Sequence, residues 1–250
     1  MWRLARPIQL LADLILPDGC GACDRFLATG DGPWCPDCAL QLGRATAAPY
    51  CPRCGLTGTE PASLADGCHR CREQPILFDG MARVGEYDGR LAEIIRAYKF
   101  ARRQRLDRPL GVLLAAAITR QPWASELDAL VPVPTSWRSW RRYSFSPPAS
   151  LAHQVSRELG LPALPLLRER GKAHRQVGLT LPERVKNVRG RYHLRPGAKP
   201  AGSILCIVDD VSTSGSTLQE VARTLKTAGA TRVYAAVLGR TNGNLDSPDF

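Results

Sequence analysis

The sequence lacks long apolar runs, low-complexity segments and long internal repeats. No stretch approaches the ~20 apolar residues that a membrane-spanning helix requires, so we expect no membrane span. No repeat is longer than the spaced cysteine pairs described below, which excludes a repeat array. The 250 residues are 44% hydrophobic, which is enough for a packed core in one large domain or in a small module joined to a mid-sized domain.

The first residues also lack a signal-peptide cleavage site. Arg3 and Arg6 precede an apolar run, as in a secretory signal, but Gln9 and Asp13 interrupt this run and no small-x-small site follows. Four apolar residues recur at helical spacing and predict a short amphipathic helix that packs on the cysteine-rich segment: Leu10, Leu11, Leu14 and Ile15. We therefore expect a soluble, cytoplasmic protein.

Cysteine is scarce in most of the chain and concentrated near one end. Residues 1–75 contain eight of the nine cysteines, with much glycine and proline and little helix or strand pattern. Residues 80–240 alternate short apolar runs with amphipathic stretches, which is typical of an α/β domain. The sequence predicts a metal-binding module over residues 1–76 and an α/β domain over residues 77–250.

The eight clustered cysteines form four C-x-x-C pairs. Each pair has the spacing of a tight turn that directs two sulfurs at one metal ion, and two such turns make a closed tetrahedral site of the kind that suits Zn²⁺. The simplest pairing is sequential and predicts one site from the first four residues and a second site from the last four: Cys20, Cys23, Cys35, Cys38, and Cys51, Cys54, Cys68, Cys71. An interleaved pairing stays open.

Disulfides and iron–sulfur ligation are the alternatives to zinc. Disulfides need an oxidising compartment, and nothing in the sequence exports the protein. An iron–sulfur cluster uses the same ligand type, but regularly paired turns favour zinc. A segment with so small a core needs metal to hold its shape, so we expect two structural zinc ions.

The net charge is basic, with 34 lysines and arginines against 23 acidic residues, or +11. Eight thiolates and two Zn²⁺ would lower this charge by four, to +7. The remaining excess favours acidic partners, either phosphorylated metabolites or nucleic acid.

A phosphate-binding pattern follows a buried strand in the second half of the chain. Residues 204–208 are continuously apolar, as in a parallel strand covered on both faces. Asp209 and Asp210 come next, at the strand end where open α/β sheets bind ligands. A hydroxyl-rich loop around Gly215 leads into an amphipathic helix that Gly229 ends.

The chemistry of this segment suits a phosphorylated sugar. Backbone N–H groups of residues 213–217 at a helix N-terminus bind phosphate, and the close approach of the chain is possible because Gly215 lacks a side chain. The carboxylates of Asp209 and Asp210 can accept hydrogen bonds from vicinal ribose hydroxyls. Four residues of the loop add hydroxyl donors: Thr213, Ser214, Ser216 and Thr217.

The segment from Val208 to Thr217 resembles the phosphoribosyl pyrophosphate (PRPP) signature of type I phosphoribosyltransferases, with Ser214 in place of a threonine. Val131-Pro-Val-Pro134 is similar to the pyrophosphate-loop region, and residues 168–190 resemble a mobile hood that is rich in arginine. With the paired cysteines and Tyr98-Lys-Phe100, this layout resembles the ComF/GntX family, the competence-associated phosphoribosyltransferase-like proteins. The residues that suggest the hood are Arg168, Arg170, Gln176, Leu179, Arg184, Asn187, Val188 and Gly190.

The resemblance implies a parallel sheet flanked by helices, Mg²⁺ bound with PRPP, and transfer of phosphoribosyl to a nitrogen acceptor in a role linked to DNA uptake. Asp209 and Asp210 would hold the ribose hydroxyls and its metal, and residues 213–217 the 5′-phosphate. The remaining substrate-binding residues that the resemblance implies are Pro134, Thr135, Arg141, Arg142, Lys99 and, from the hood, Arg184. The family's Asn-Gln segment is replaced here by Ser146 and Pro147.

A non-catalytic role is the alternative. Residues 137–143 interleave aromatic residues with arginines, a pattern that can stack on and neutralise single-stranded DNA. The chain would then be a nucleic-acid-binding or adaptor protein for competence or helicase proteins, with the PRPP fold as a regulatory site. The plainer interpretation is a surface loop with Trp137 or Trp140 packed in the core.

Overall fold

The computed structural model describes residues 19–27, 32–58, 67–100, 104–136, 140–141, 144–170 and 188–242. The expected N-terminal helix lies outside these residues, as does most of the predicted hood. None of the helices within the described residues has the length and apolar character needed to cross a membrane.

Within the described residues, the central sheet is parallel and consists of β1 Met81–Glu86, β2 Ala129–Pro132, β5 Ile204–Ser212 and β6 Arg232–Arg240. The order of the strands across the sheet is β1-β6-β5-β2. The continuous apolar runs of the sequence form these strands because a parallel sheet buries both faces. The predicted parallel fold is confirmed.

Six described helices accompany the sheet. A serine cap and two prolines begin α5, and Gly160 in the left-handed conformation ends it. The helix bounds are α1 Pro36–Ala47, α2 His69–Glu73, α3 Gly89–Phe100, α4 Asp107–Thr119, α5 Pro147–Leu159 and α6 Ser216–Thr227.

Two apolar clusters fill the space on the two faces of the sheet. Alternate residues of β5 belong to different clusters, because successive side chains of a strand point to opposite faces. Cys206 and Val208 pack with residues of α3, α4 and α5. Leu205 and Ile207 pack with residues of α6. Cys206, the one cysteine outside the four pairs, is fully buried in this core.

A short antiparallel hairpin lies beside α6. It consists of β3, Leu167–Glu169, and β4, Tyr192–Leu194. Glu220 of α6 accepts a hydrogen bond from the Gly190 amide at 2.6 Å, and this contact holds the hairpin against the helix. The two described ends of the predicted hood therefore sit next to the helix that follows the phosphate-loop segment.

The two cysteine modules pack on different apolar clusters. Trp34 of the first module joins the cluster that contains α4, whereas Ile76 beside the second module joins the cluster that contains α6. Gln219 of α6 also receives a hydrogen bond from the Leu77 amide and donates one to the Pro75 carbonyl. The segment between the predicted units is thus fixed to α6, the helix that follows the predicted phosphate loop, residues 213–217.

Candidate functional site

Each predicted group of four cysteines comes together in space. The sulfurs of the first group lie within 4.8 Å of one another, as do those of the second group, so the pairing is sequential. Representative sulfur–sulfur distances are 3.8 Å for Cys23–Cys35 and 3.5 Å for Cys54–Cys68. These distances are far too long for a disulfide, and they match the ~3.8 Å separation of four sulfurs about 2.3 Å from a tetrahedral zinc ion.

Each group contains one cysteine whose pKa is lowered, Cys20 in the first and Cys51 in the second, whereas the pKa values of Cys38, Cys54 and Cys71 are raised. In the second group the Cys68 amide donates to the Cys51 sulfur at 3.4 Å. Hydrogen bonds from the Cys54 thiol and then from backbone amides lower the pKa of Cys51, against the effect of burial. His69, which sits between two ligands, is exposed and faces Glu73. The residues present therefore fit two closed, structural zinc sites.

The acidic pair lies within the strand and not after it. Pairing of β5 with β2 stops at Val208, opposite Pro132, while pairing with β6 continues to Ser212. The expectation that the strand ends before Asp209 was therefore wrong. The reason is that the neighbouring strands determine where a strand ends. The shorter β2 leaves Asp209 and Asp210 on an unpaired edge of an extended chain.

Lys99 reaches the acidic pair from α3. Its ammonium lies 2.9 Å from a carboxylate oxygen of Asp210, which is 8% exposed. The Asp209 carboxylate accepts a hydrogen bond from the Asp210 amide at 2.9 Å. Burial, and next the charge of Asp210, raise the pKa of Asp209, although Lys99 opposes this effect. The pair thus places two acidic groups beside one ammonium, and the carboxyl group of Asp209 favours its neutral form.

The predicted phosphate loop lies immediately beyond this edge. Gly215 adopts φ 81°, a conformation that favours glycine. The Ser214 hydroxyl accepts from the Ser216 amide at 3.3 Å. Within the described part of the chain, the amides of Thr213, Ser214 and Gly215 find no protein acceptor. The N-terminus of the 12-residue α6 adds its positive dipole end, so the loop retains the donors that an anion needs.

The hairpin contributes to the same region. Tyr192 of β4 is buried, and its pKa is raised first by burial and also by the charges of Glu169 and Asp209, while a hydrogen bond with the Thr217 side chain opposes the shift. The side chain of Tyr192 therefore lies close to Thr217, at the end of the loop.

Pro134 and Thr135 follow β2, beside the acidic pair. The Val133 amide donates to the Val208 carbonyl at 2.9 Å, which places this turn next to Asp209. The Thr135 hydroxyl bonds to the Ser146 hydroxyl, and Ser146 caps α5 by accepting from the Ala149 amide. The replacement at Ser146 thus has a structural role as the cap of a helix.

The other predicted substrate residues are not all at the site. Arg141 is exposed, and Arg142 and Arg184 lie outside the described residues. Trp140 is 50% exposed, and Trp137, the other tryptophan expected in the core, lies outside the described residues.

Sequence reasoning missed Arg240, which is 2% exposed although it ends an apolar strand. Its guanidinium donates to the carbonyls of Cys54, at 3.2 Å, and of Ser212, at 3.1 Å. One side chain thereby connects the second cysteine module to the residue before the phosphate loop. A charged residue at the end of an apolar run was a signal for its burial, although not for the carbonyls that it contacts.

Comparisons with known proteins agree with this arrangement. The profile of the phosphoribosyl transferase domain matches residues 149–250, and that of the double zinc ribbon domain matches residues 11–74. The chain is 31% identical to Competence protein F of Haemophilus influenzae over 82% of this chain and 90% of that protein. It is 32% identical to the DNA utilization protein YhgH of Escherichia coli K12 over 91% of this chain and 99% of that protein.

The solved structures that resemble the chain are more distant. A purine phosphoribosyltransferase from Pyrococcus horikoshii Ot3 has a TM-score of 0.35 at 20% identity, covering 56% of this chain and 77% of that chain. So weak a superposition carries no argument. The match to the curated relatives extends over most of both chains, includes both the cysteine modules and the phosphoribosyltransferase-type domain, and shows that the chain belongs to the family of Competence protein F and YhgH.

Proposed function

We propose that the protein binds PRPP with Mg²⁺ and transfers its phosphoribosyl group to a nitrogen acceptor, in a role linked to DNA uptake. The observation that carries this proposal is the juxtaposition of an acidic pair with a loop whose amides find no acceptor in the described chain. A ribose 5-phosphate offers hydroxyls for the carboxylates and a dianion for the loop. The family's association with competence supports the biological role.

Each candidate residue would bind the part of PRPP that lies closest to it. Asp209 and Asp210 would accept hydrogen bonds from the ribose hydroxyls, and Lys99 would hold the Asp210 carboxylate in place. Residues 213–217 would bind the 5′-phosphate. The turn at Pro134 and Thr135, next to the acidic pair, would face pyrophosphate, and Arg141, Arg142 and Arg184 remain candidates for neutralising it.

Mg²⁺ fits the donor set of the acidic pair. The two adjacent carboxyl groups supply oxygen atoms, which are the ligands that Mg²⁺ prefers while it retains several waters. When bound, the ion would neutralise charge on pyrophosphate and ribose oxygens. Asp209, whose raised pKa reflects burial beside a second carboxylate, would be the residue most stabilised by a cation.

The reaction itself exchanges one bond at C1 of the ribose. The C1–O bond to pyrophosphate breaks and pyrophosphate leaves with the electron pair, while the lone pair of the acceptor nitrogen forms the new C1–N bond. The nitrogen then loses a proton to solvent. The protein would hold the sugar phosphate and align it, which lowers the entropic part of the barrier.

Calorimetry with PRPP and Mg²⁺ tests the proposal. We expect saturable heat at one site per chain in the wild type and at least a tenfold weaker affinity in Asp209→Asn, which keeps the shape of the side chain but removes its charge. Glu158→Gln on the exposed surface of α5 is the matched control and should bind as the wild type does. Absence of heat from a zinc-loaded wild type would eliminate the proposal.

Single-stranded DNA binding is a second candidate function. Trp140 is half exposed next to the exposed Arg141, which suits stacking on a base beside a phosphate contact. Fluorescence anisotropy across a salt series should show affinity that falls with salt and that Trp140→Ala weakens. Affinity that is independent of salt would remove this candidate.

The chemistry of the cysteines supports a reducing compartment. Eight free thiols grouped for metal binding persist where disulfides do not form. We therefore propose a cytoplasmic location.

A further inference from the structure

A small cleft separates the phosphate loop from the second cysteine module. Ser214 and Gly215 of the loop line one side, and Arg70 of α2, which lies between two cysteine ligands, lines the other. The cleft encloses about 30 Å³, room for a group the size of one or two waters and not for a nucleobase. It therefore suits a small polar group that a larger ligand inserts.

Arg70 and Arg240 line this cleft, and neither forms an ion pair with a carboxylate among the described residues. Arg83 lies outside the lining, and the charge of Glu86 acts on it. Arg83 and Arg240 are 1% and 2% exposed, and Arg70 is half-buried. A zinc ion with four thiolates carries two net negative charges, and the charge of Cys54 acts on both buried guanidinium groups. The metal site and Glu86 can thus balance Arg83 and Arg240, which leaves Arg70 without a carboxylate partner among the described residues.

Neutral donors converge on the same cleft. The Ser212 hydroxyl is buried, with the residue 3% exposed, and it has no hydrogen-bond partner among the described residues. Ser212 lines the cleft together with Arg240. A buried hydroxyl without a partner costs stability, so its presence beside free loop amides indicates that a ligand supplies the missing contact.

We propose that Arg70 of the second cysteine module completes the phosphate site, so that a phosphate monoester bound by residues 213–217 also contacts this guanidinium and the Ser212 hydroxyl. The inference rests on the proposed function and adds a binding residue from outside the phosphoribosyltransferase-type domain. A guanidinium matches the geometry of phosphate oxygens. The second module then serves substrate binding directly as well as its own folding.

Titration of the zinc-loaded full chain with ribose 5-phosphate tests this proposal, because that ligand carries the monoester without the pyrophosphate. We expect Arg70→Ala to weaken its binding at least tenfold and Arg70→Lys to restore part of the loss. Arg72→Ala is the matched control, since Arg72 is on the same short helix and exposed. It should leave the affinity unchanged.

A second variant and a measurement of zinc content distinguish a lost phosphate contact from misfolding of the Arg70→Ala protein. Zinc content of two ions per chain in Arg70→Ala shows that the module is intact. Ser212→Ala, which leaves the module untouched, should weaken ribose 5-phosphate binding by about threefold.

The outcomes separate this inference from the proposed function. If the wild type binds neither ribose 5-phosphate nor PRPP, both the proposed function and this inference are contradicted. If the wild type binds and Arg70→Ala binds equally well, only the inference is overturned. Loss of single-stranded DNA binding in Arg70→Ala, with ribose 5-phosphate unaffected, also overturns it and assigns Arg70 to a phosphodiester.

Discussion

The two cysteine modules share one local design and differ in how they join the rest of the molecule. In each, a backbone bridge closes the first turn, between Gly19 and Phe26 or between Tyr50 and Thr57. The first module leaves Cys23 exposed, whereas all four cysteines of the second are buried. The same sequence motif thus makes a peripheral module in one case and an internal one in the other.

The charged residues beside each module explain why the second module should affect the stability of the rest of the protein more than the first. Exposed ion pairs flank the first, such as Arg25 with Asp37 at 2.7 Å. Buried Arg83 and Arg240 flank the second, and Arg240 continues to the carbonyl of Ser212 before the phosphate loop. Metal at the second site therefore supports both the charge balance of the sheet edge and the position of the loop.

The largest difference between the two modules is expected when one cysteine ligand is removed from each zinc site. We expect Cys54→Ser and Cys23→Ser each to reduce zinc to about one ion per chain. Cys54→Ser should also lower the free energy of unfolding by roughly 3–5 kcal/mol, because two buried guanidinium groups lose their counter-charge. Zinc analysis with thermal unfolding measures both effects, and an equal loss of stability in Cys23→Ser would refute the asymmetry.

Replacing Arg240 should show how much its hydrogen bonds between the second cysteine module and Ser212 contribute to stability while the zinc ligands stay unchanged. Arg240→Met retains the volume of the side chain but leaves the Cys54 carbonyl without its donor, whereas the Ser212 carbonyl keeps its hydrogen bond from the Thr241 amide. We expect a loss of roughly 1–3 kcal/mol in unfolding free energy, since one buried acceptor without a partner costs about that much. Denaturant unfolding measures it, and an unchanged stability would mean that the bridge has no energetic role.

The buried Asp209 should lower the free energy of unfolding by an amount that depends on pH. Burial raises the pKa of Asp209 to about 8, so its native state favours the neutral acid. The favourable contribution is present at low pH and is lost as the pH rises towards 8. Asp209→Asn should therefore be more stable than the wild type, by about 1–2 kcal/mol at pH 8 and by less at pH 6. A gap that shrinks as the pH rises would contradict this account.

The smallest effect is expected at the surface of the first module. Arg25→Ala removes an exposed ion pair with Asp37 and should change the unfolding free energy by less than about 0.5 kcal/mol. Denaturant unfolding at low salt is the measurement, and a loss comparable to that in Arg240→Met would show that the two modules are coupled to the fold alike.

Local patterns predicted much of the fold and of the candidate site. The apolar run of β5 and the amphipathic period of α6 are statements about single elements, so they could be read without knowing their neighbours. The cysteine spacing likewise predicted two closed sites because each turn presents its two sulfurs locally.

Contacts between residues that are far apart in the chain could not be predicted from local sequence patterns. Lys99 and Asp210 are far apart in the chain, and only the packing of α3 brings them together. The length of β5 depends on where β2 stops. The bridging place of Arg240 depends on a carbonyl in another module, which no pattern around residue 240 could indicate.

Phosphorus NMR of PRPP tests the central claim most directly, because it distinguishes the 5′-phosphate from the two pyrophosphate phosphorus atoms. The zinc-loaded wild type with Mg²⁺ should shift or broaden the 5′-phosphate resonance, and Asp209→Asn should largely abolish this change by weakening binding. A 5′-phosphate resonance that stays unchanged at saturating wild-type protein would contradict a phosphate site at residues 213–217.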